Sequence, residues 1–200
     1  MSSAFAEAEG AELAVLAVAA VAARLAGCAI RRPQPVSAAL RACGASFVTL
    51  EAAGTLRGCI GTLEPARPLY LDVTHNAVRA MSDPRLPPVT DADWPELDVT
   101  VSVLSAPQPM VAPDLDALLA TLRPGVDGLL LTDGVRRATF LPTVWARVPE
   151  PARFVAALLT KGGWPAQGWP TRLMVQRYTA VEFHNRSPRE PWQDGAHEPG

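Results

Sequence analysis

Twenty prolines, the first of them Pro33, divide most of this 200-residue chain into short segments. Proline has no backbone N–H and a fixed φ, so it ends helices and is excluded from central strands. Beyond its N-terminal stretch the chain is therefore expected to form many short elements joined by stiff turns. Because 48% of the residues are hydrophobic and 19% charged, these elements can bury a packed core.

The spacing of apolar residues predicts which segments are helices and which are strands. Helices are expected over 9–25, 69–81 and 152–160, and Pro113 is expected to open another that ends before Gly125. Strands are expected over 45–52, 55–63, 97–104, 129–132, 137–141 and 172–183. Asp133-Gly134 suits a type I′ hairpin turn.

Strands and helices do not alternate strictly along the chain, so a doubly wound parallel sheet is not expected. The pattern favours an α+β fold with a mainly antiparallel sheet flanked by helices. We expect a flexible N-terminus over 1–8, a single domain over 9–183, and a disordered polar tail over 184–200.

The apolar run 11–30 ends in Leu25-Ala26-Gly27-Cys28, which looks like a lipoprotein cleavage box. A secretory signal needs a basic segment before its apolar run, whereas the residues before this one include Glu7 and Glu9 and no Lys or Arg. Glu12 and Arg24 also interrupt it as a membrane span. An alanine-rich helix that packs on the core is the better interpretation.

Charge and cysteine usage exclude several classes of function. The net charge of −2 and the absence of basic blocks argue against a general nucleic-acid surface. The cysteines, Cys28, Cys43 and Cys59, are odd in number and form no C-x-x-C pair, which argues against a disulfide framework or zinc site and fits a reducing cytoplasm. We expect no metal, no cofactor and no membrane association.

The segment Leu56–Thr62 concentrates unusual chemistry, because a guanidinium, a thiol and two glycines lie within five residues. In a regular strand, Arg57, Cys59 and Gly61 would share one face, with Arg57 and Cys59 about 7 Å apart. A cation at that distance favours a thiolate. Glycines inside a strand usually admit a ligand or another backbone segment.

The hexapeptide Leu56-Arg57-Gly58-Cys59-Ile60-Gly61 resembles the signature of the AMME chromosomal region protein family (the AMMECR domain). Further segments agree with that family in order and spacing. They are 47–50, Asn76-Ala77, Asp83-Pro84-Arg85, 101–104, 124–128, 140–142, Val144-Trp145, and Lys161 with Gly163.

The resemblance covers about residues 9–183 and implies a fold of two unequal lobes with the hexapeptide lining the cleft between them. It also implies a cytoplasmic protein that works with a Memo-like protein and a radical-SAM protein. It implies no settled activity. The chain departs from the usual pattern at Thr143, Gly162 and Leu86, where glutamine, alanine and an aromatic residue are common.

Two interpretations of the candidate site remain open. Cys59 is either a nucleophile stabilised by Arg57 or a buried small hydrophobe, and Cys28 and Cys43 are expected to be structural. His75, the only histidine in the sequence expected to be ordered, is better explained as an exposed helix residue than as a base for Cys59. Arg57 could also simply pair with Glu64 or Asp83.

The other candidate residues have equally plain alternatives. Asp83 and Arg85 either bind an anion or only satisfy a helix-ending turn, and Lys161 either reaches an anion or only complements its helix dipole. Asn76 is expected to cap or to hydrogen-bond across the cleft. Trp145, Trp164 and Trp169 are expected to be core and loop anchors.

The sequence therefore supports two functions of different classes. The first is a binding protein whose ligand-binding residues would be Gly58, Ile60, Gly61, Thr62, Asn76, Asp83, Arg85 and Lys161, with a small anionic ligand, a peptide or a partner protein as occupant. The second is a cysteine-dependent enzyme with Cys59 as nucleophile and Arg57 as anion and thiolate stabiliser. Whether the protein is an enzyme stays open at this point.

Overall fold

The computed structural model describes residues 7–31, 34–165, 169–170 and 172–190. Its helices are α1 Glu7–Leu25, α2 Ala38–Arg41, α3 Leu69–Ala80, α4 Leu115–Thr121 and α5 Pro151–Lys161. Its strands are β1 Cys43–Ala52, β2 Thr55–Gly61, β3 Arg67–Pro68, β4 Leu97–Leu104, β5 Gln108–Met110, β6 Gly128–Thr132, β7 Arg137–Phe140, β8 Met174–Tyr178 and β9 Ala180–Asn185. Short 3₁₀ helices span Asp91–Glu96 and Pro142–Ala146.

The chain divides into two compact units. The first contains residues up to 104 together with those from 181 onward, and the second contains Ser105–Ala180. The second unit is thus inserted, along the chain, between β4 and β9 of the first. The sheet order of the first unit is β2-β1-β4-β9, with the short β3 also on β1, so β4 and β9 are neighbours.

Helices α1 and α3 contribute to the core of the first unit together with the sheet. The alternation of β1 and β4 turns Val48 and Leu50 inward opposite Val101 and Val99, and all four are fully buried. From α1, Leu13 joins the same cluster. Thr49 and Thr100, which alternate with these residues, point to the opposite face of the sheet and are half-buried.

A two-residue turn joins β1 to β2. Ala53 and Gly54 both have positive φ, 49° and 73°, as a type I′ turn requires. Such a turn matches the twist of the two strands and so sets the hairpin that contains the hexapeptide.

The second unit has its own antiparallel sheet, in the order β5-β8-β6-β7, and its own core. In that core the Trp145 and Phe154 rings stack with centroids 3.8 Å apart. Trp145 and Trp164 are 4% and 5% exposed, which confirms both as anchors of the packing.

The predicted α+β fold with antiparallel sheets and flanking helices is confirmed. Helix α1 is also confirmed, and it begins at Glu7, so residues 7 and 8 are helical and were wrongly assigned to the flexible N-terminus. Among the described residues, no helix combines the length and the apolar character needed to cross a membrane.

Three details of the prediction are wrong. The β6–β7 hairpin exists, but four residues, 133–136, separate its strands, so Asp133-Gly134 is not a two-residue type I′ turn. The predicted last strand is two strands, β8 and β9, which belong to different sheets. Strand β9 and its hydrogen-bonded continuation are described to residue 190, so the tail does not begin at His184.

Residues 191–200 of the predicted tail and residues 1–6 of the predicted N-terminus lie outside the described residues. Cys28 and Cys43 were expected to be structural, but both are exposed.

Candidate functional site

A β-bulge interrupts the hexapeptide at Arg57. On either side of it, Leu56 pairs with Glu51 and Gly58 pairs with Leu50, so Arg57 is the extra residue of β2. Strict alternation was the basis for placing Arg57 and Cys59 on one face, and the bulge breaks that alternation.

The Arg57 guanidinium binds Asp93 of the first 3₁₀ helix, with Nη2 2.9 Å from Oδ1. Asp83, one of the partners considered from the sequence, is instead bound to Arg85. Arg57 therefore secures β2 to the segment that leads into β4. Its side chain is 29% exposed.

Cys59 is held at the sheet edge by Asp83 and Arg85. Strand β2 is an edge strand, so its outward backbone groups have no neighbouring strand. The Cys59 N–H donates to Asp83 Oδ2 (3.1 Å), and the Cys59 carbonyl accepts from Arg85 Nη2 (2.9 Å). The two side chains thus take the hydrogen-bonding positions of a missing strand.

Three hydrogen bonds join Arg85 to Asp83. Arg85 Nε donates to Oδ1 (2.9 Å) and Nη2 donates to Oδ2 (2.6 Å), while the Arg85 N–H also donates to Oδ1 (3.1 Å). The hydrogen bond from Arg85 is the main reason that the pKa of Asp83 is held well below its usual value, against the opposing effect of burial. The local-turn interpretation is confirmed, since Asp83 accepts from the Arg85 backbone and side chain. The two residues also bond to the backbone of Cys59.

Arg85 is a cation that lies beside Cys59, because its Nη2 bonds to the Cys59 carbonyl. The pKa of Arg85 is raised, first by its hydrogen bond to Asp83, and also by the charge of an ionised Cys59. The half-buried Cys59 Sγ also accepts a hydrogen bond from Thr49 Oγ1, 3.4 Å away on the neighbouring strand.

Glycines 58 and 61 accommodate the protein's own atoms. A Cβ on Gly58 would lie 1.9 Å from the carbonyl oxygen of Ala80, at the end of α3. A Cβ on Gly61 would lie 2.2 Å from the ring of Phe47, its partner across β1. Close approach of another backbone segment, one of the two expected reasons for these glycines, therefore accounts for Gly58. Between them, Ile60 packs against the core of the first unit.

Thr62 and Asn76 belong to a buried polar cluster around Asp72. Asp72 Oδ2 accepts from Thr62 Oγ1 (2.6 Å), Asn76 Nδ2 (3.0 Å), and the Ser46 N–H and Oγ (3.0 and 2.7 Å). Asn76 Nδ2 also donates to the Ser46 carbonyl (3.1 Å). These bonds of Asn76 lie within the first unit, and the cluster fastens α3 to β1 and to the end of β2.

Sequence analysis missed Asp72, Ser46 and Asp93. Asp72 lies four residues before Asn76, so an i, i+4 pair on one face of α3 was the available signal. No comparable signal links Asp93 to Arg57 across 36 residues of sequence.

Lys161 lies in the second unit, at the end of α5. Its Nζ donates to the carbonyl of Thr139 (2.9 Å) and lies 5.1 Å from the centre of the Phe140 ring. These contacts tie α5 to β7. Nearby, a Cβ on Gly162 would lie 2.0 Å from the Trp164 ring, which explains glycine at a position where alanine is common.

Two of the three histidines, His75 and His184, lie in the part of the chain that the structure describes. His75 is half-buried on α3, whereas His184, which was expected in the tail, is on β9 with its Nδ1 3.0 Å from Thr100 Oγ1. Among the residues that the structure describes, no group of three or more His, Cys, Asp or Glu is arranged to hold a metal ion.

The fold and the hexapeptide described above occur in a chain that matches a known protein family. The family model of AMMECR1 matches residues 14–183, and the chain belongs to this family. Among its relatives, a protein of Methanothermobacter thermautotrophicus is 36% identical over 160 residues, which is 78% of this chain and 82% of the relative. A Thermotoga maritima protein is 36% identical over 143 residues, covering 69% and 76%.

The fold is also similar to a solved structure. The crystal structure of the uncharacterized protein PH0010 from Pyrococcus horikoshii superposes with a TM-score of 0.83 at 31% identity. The match covers 91% of this chain and 94% of that one.

Proposed function

We propose that this chain is a binding protein that recognises an anionic group, on a small ligand, a peptide or a partner protein, at the edge of β2. The observation that carries the proposal is that the Arg85 side chain is both fixed in position and exposed. Its guanidinium is fixed by Asp83 and by the Cys59 carbonyl, yet 61% of its side chain is exposed.

A fixed, exposed guanidinium suits anion binding. Its rotamer freedom is already restricted before the ligand arrives, which removes part of the usual cost of ordering a long side chain. Because Nε and Nη2 already donate to Asp83 and to the Cys59 carbonyl, Nη1 is the nitrogen that would donate to a carboxylate or a phosphate oxygen. Because the Asp83 carboxylate already offsets its charge, we expect the site to take a single carboxylate or phosphate group rather than a polyanion.

Substitution of Arg85 tests this proposal. In ligand-observed NMR with a panel of carboxylates and inorganic phosphate, the wild type should bind at least one member, and Arg85→Ala should lose it. Arg85→Lys should bind weakly, because an ammonium group cannot contact Asp83, the Cys59 carbonyl and the ligand with the fixed geometry of a guanidinium. Arg79→Ala is the matched control, since Arg79 is another exposed arginine, in the last turn of α3.

Retention of all binding by Arg85→Ala would contradict the proposal. Cys59→Ala should keep anion binding, because Arg85 contacts the Cys59 backbone carbonyl rather than its sulfur.

A second candidate function is cysteine-dependent catalysis with Cys59 as nucleophile, supported by the contacts of its sulfur. Sγ accepts from the Thr49 hydroxyl, and the cationic Arg85 is bonded to the carbonyl of the same residue. Arg85, rather than Arg57, would then be the thiolate stabiliser.

Alkylation by iodoacetamide separates reactivity from accessibility. Cys28 and Cys43 are exposed and Cys59 is half-buried, so accessibility alone predicts that Cys59 reacts last. An activated Cys59 should instead react first at neutral pH, and Arg85→Ala should slow it. Slow labelling of Cys59 that is indifferent to Arg85 would exclude this candidate.

The Memo-like and radical-SAM partners implied by the resemblance are part of the binding proposal. They are tested by mixing each purified protein with this chain and with its Arg85→Ala variant in a gel-filtration assay. Complex formation with the wild type that is lost in the variant is the expected result.

A further inference from the structure

The last described segment, 186–190, is bound against the first 3₁₀ helix, and we call it the C-terminal strap. The Arg189 guanidinium lies over the Trp94 ring, 5.3 Å from its centre. The Arg189 N–H donates to the Pro95 carbonyl, and Trp94 Nε1 donates to the Glu190 carbonyl, both at 3.0 Å. The family model ends at residue 183, before the strap begins.

Arg189 is itself fixed to the end of β9. Its Nη1 donates to Asn185 Oδ1 (2.7 Å), and its Nη2 donates to the Asn185 carbonyl (3.0 Å). Burial lowers the pKa of Arg189, so this guanidinium is desolvated where it meets Trp94. A desolvated cation over an aromatic ring is held more firmly than an exposed one.

The residue before Trp94 connects the same 3₁₀ helix to the hexapeptide. Asp93 Oδ1 binds the Arg57 guanidinium at 2.9 Å. Its other oxygen, Oδ2, accepts from the Thr90 N–H (2.9 Å) and Oγ1 (3.0 Å) and so caps the helix. The Asp93 carboxylate therefore both caps the 3₁₀ helix and binds Arg57, the bulge residue of β2. Arg57 lies two residues before Cys59.

We infer that Arg189 is a positioning residue for the hexapeptide strand, acting through Trp94 and the adjacent Asp93 on Arg57. The inference rests on the proposed function in that β2 is the binding strand. The strap would keep the 3₁₀ helix in place, and the helix would fix the bulge that orients the Cys59 backbone towards Arg85. A segment outside the family-matched region would thereby control the rigidity of the site.

Hydrogen exchange of the full chain tests this coupling without any ligand. Arg189→Ala should speed exchange of the backbone amides of residues 55–58 by about two- to fivefold, the change that corresponds to an ordinary cation–π contact. Arg186→Ala is the matched control, because Arg186 is an exposed arginine of the same strap. It should leave these amides unchanged.

A second substitution tests the route of the coupling. Arg57→Met alone should also speed exchange over 55–58, and adding Arg189→Ala to it should give no further increase there, because the connection is already cut. If Arg189→Ala does not fold, Arg189→Lys keeps the charge but not the planar stack, and should give the same result in weaker form.

Faster exchange confined to 91–96 and 186–190, with 55–58 at the wild-type rate, would overturn the inference. Additive effects of the two substitutions would overturn it as well. Neither result depends on whether Arg85 binds an anion, so the failure of this inference is distinguishable from the failure of the proposed function.

Discussion

Gly58 shows how single atoms set the geometry of the hexapeptide. Gly58→Ala would place a methyl carbon 1.9 Å from the Ala80 carbonyl oxygen, and this backbone atom can move only if the end of α3 moves with it. We expect a loss of unfolding free energy of about 1–3 kcal/mol, the usual cost of overpacking. Urea denaturation measures it.

Gly61→Ala is the comparison for this prediction. Its methyl group would meet the Phe47 ring at 2.2 Å, but a half-buried side chain can rotate away. The loss should therefore be smaller than for Gly58→Ala. Equal losses, or no loss in Gly58→Ala, would show that α3 does not confine this strand.

Some contacts of the hexapeptide could be predicted from the sequence and others could not. The hexapeptide and the contact of Gly58 with backbone could be predicted, because glycine inside a strand has few explanations. The bulge at Arg57 and its bond to Asp93 could not, because nothing in the local pattern specifies a partner 36 positions away. The contact of Arg85 with the Cys59 carbonyl, across 26 positions of sequence, could not be predicted for the same reason.

At the scale of elements, the β6–β7 hairpin depends on Asp133. Its Oδ1 accepts from the N–H groups of Val135 and Arg136, and its Oδ2 accepts from Trp164 Nε1. These hydrogen bonds, the Arg136 N–H first and then Trp164, lower the pKa of Asp133 to about 2. A carboxyl group whose pKa is lower in the folded state than in the unfolded chain stabilises the fold only while it is ionised.

The pH dependence of stability follows from that shift. The contribution of Asp133 should be fully present above its ordinary pKa near 3.8, and should be lost as the pH falls towards about 2. Asp133→Asn should remove this contribution, so the difference in urea midpoint between wild type and variant should be constant at neutral pH and shrink in acid. A difference that persists unchanged into acid would contradict the assignment.

Among the elements, those with strong periodicity were predicted well. Helix α3 and strand β4 agree within one residue, because both alternate clearly between buried and polar positions. The division of 172–183 into β8 and β9 was missed, because Tyr178-Thr179-Ala180 contains no glycine or proline to mark the break. The break between the two strands is visible only in the hydrogen bonds that each strand makes to its own sheet.

At the scale of the whole molecule, residues at the two ends of the second unit are hydrogen-bonded to each other. The Ser105 N–H donates to the Thr179 carbonyl, and the Thr179 N–H donates to Ser105 Oγ, both at 2.9 Å. The unit also has its own sheet and its own buried cluster. We therefore predict that a fragment of residues 105–180 folds by itself, since domains of this size can do so.

A cooperative thermal transition in the far-UV circular dichroism of the 105–180 fragment would show that it folds by itself. Phe154→Ala is the control: Phe154 is fully buried and stacked on Trp145, so its removal should cost about 3–5 kcal/mol and abolish the transition. A fragment without a transition would mean that the unit needs the rest of the chain.

The insertion of one unit between neighbouring strands of the other has a consequence during protein synthesis. Because the chain leaves the ribosome from its N-terminus, β1, β2 and β4 emerge before the inserted unit, and β9 emerges after it. The nascent first unit therefore exposes the side of β4 that β9 later covers while 76 more residues (105–180) are being made. Until β9 arrives, that vacant strand side is where pairing with another nascent chain would occur.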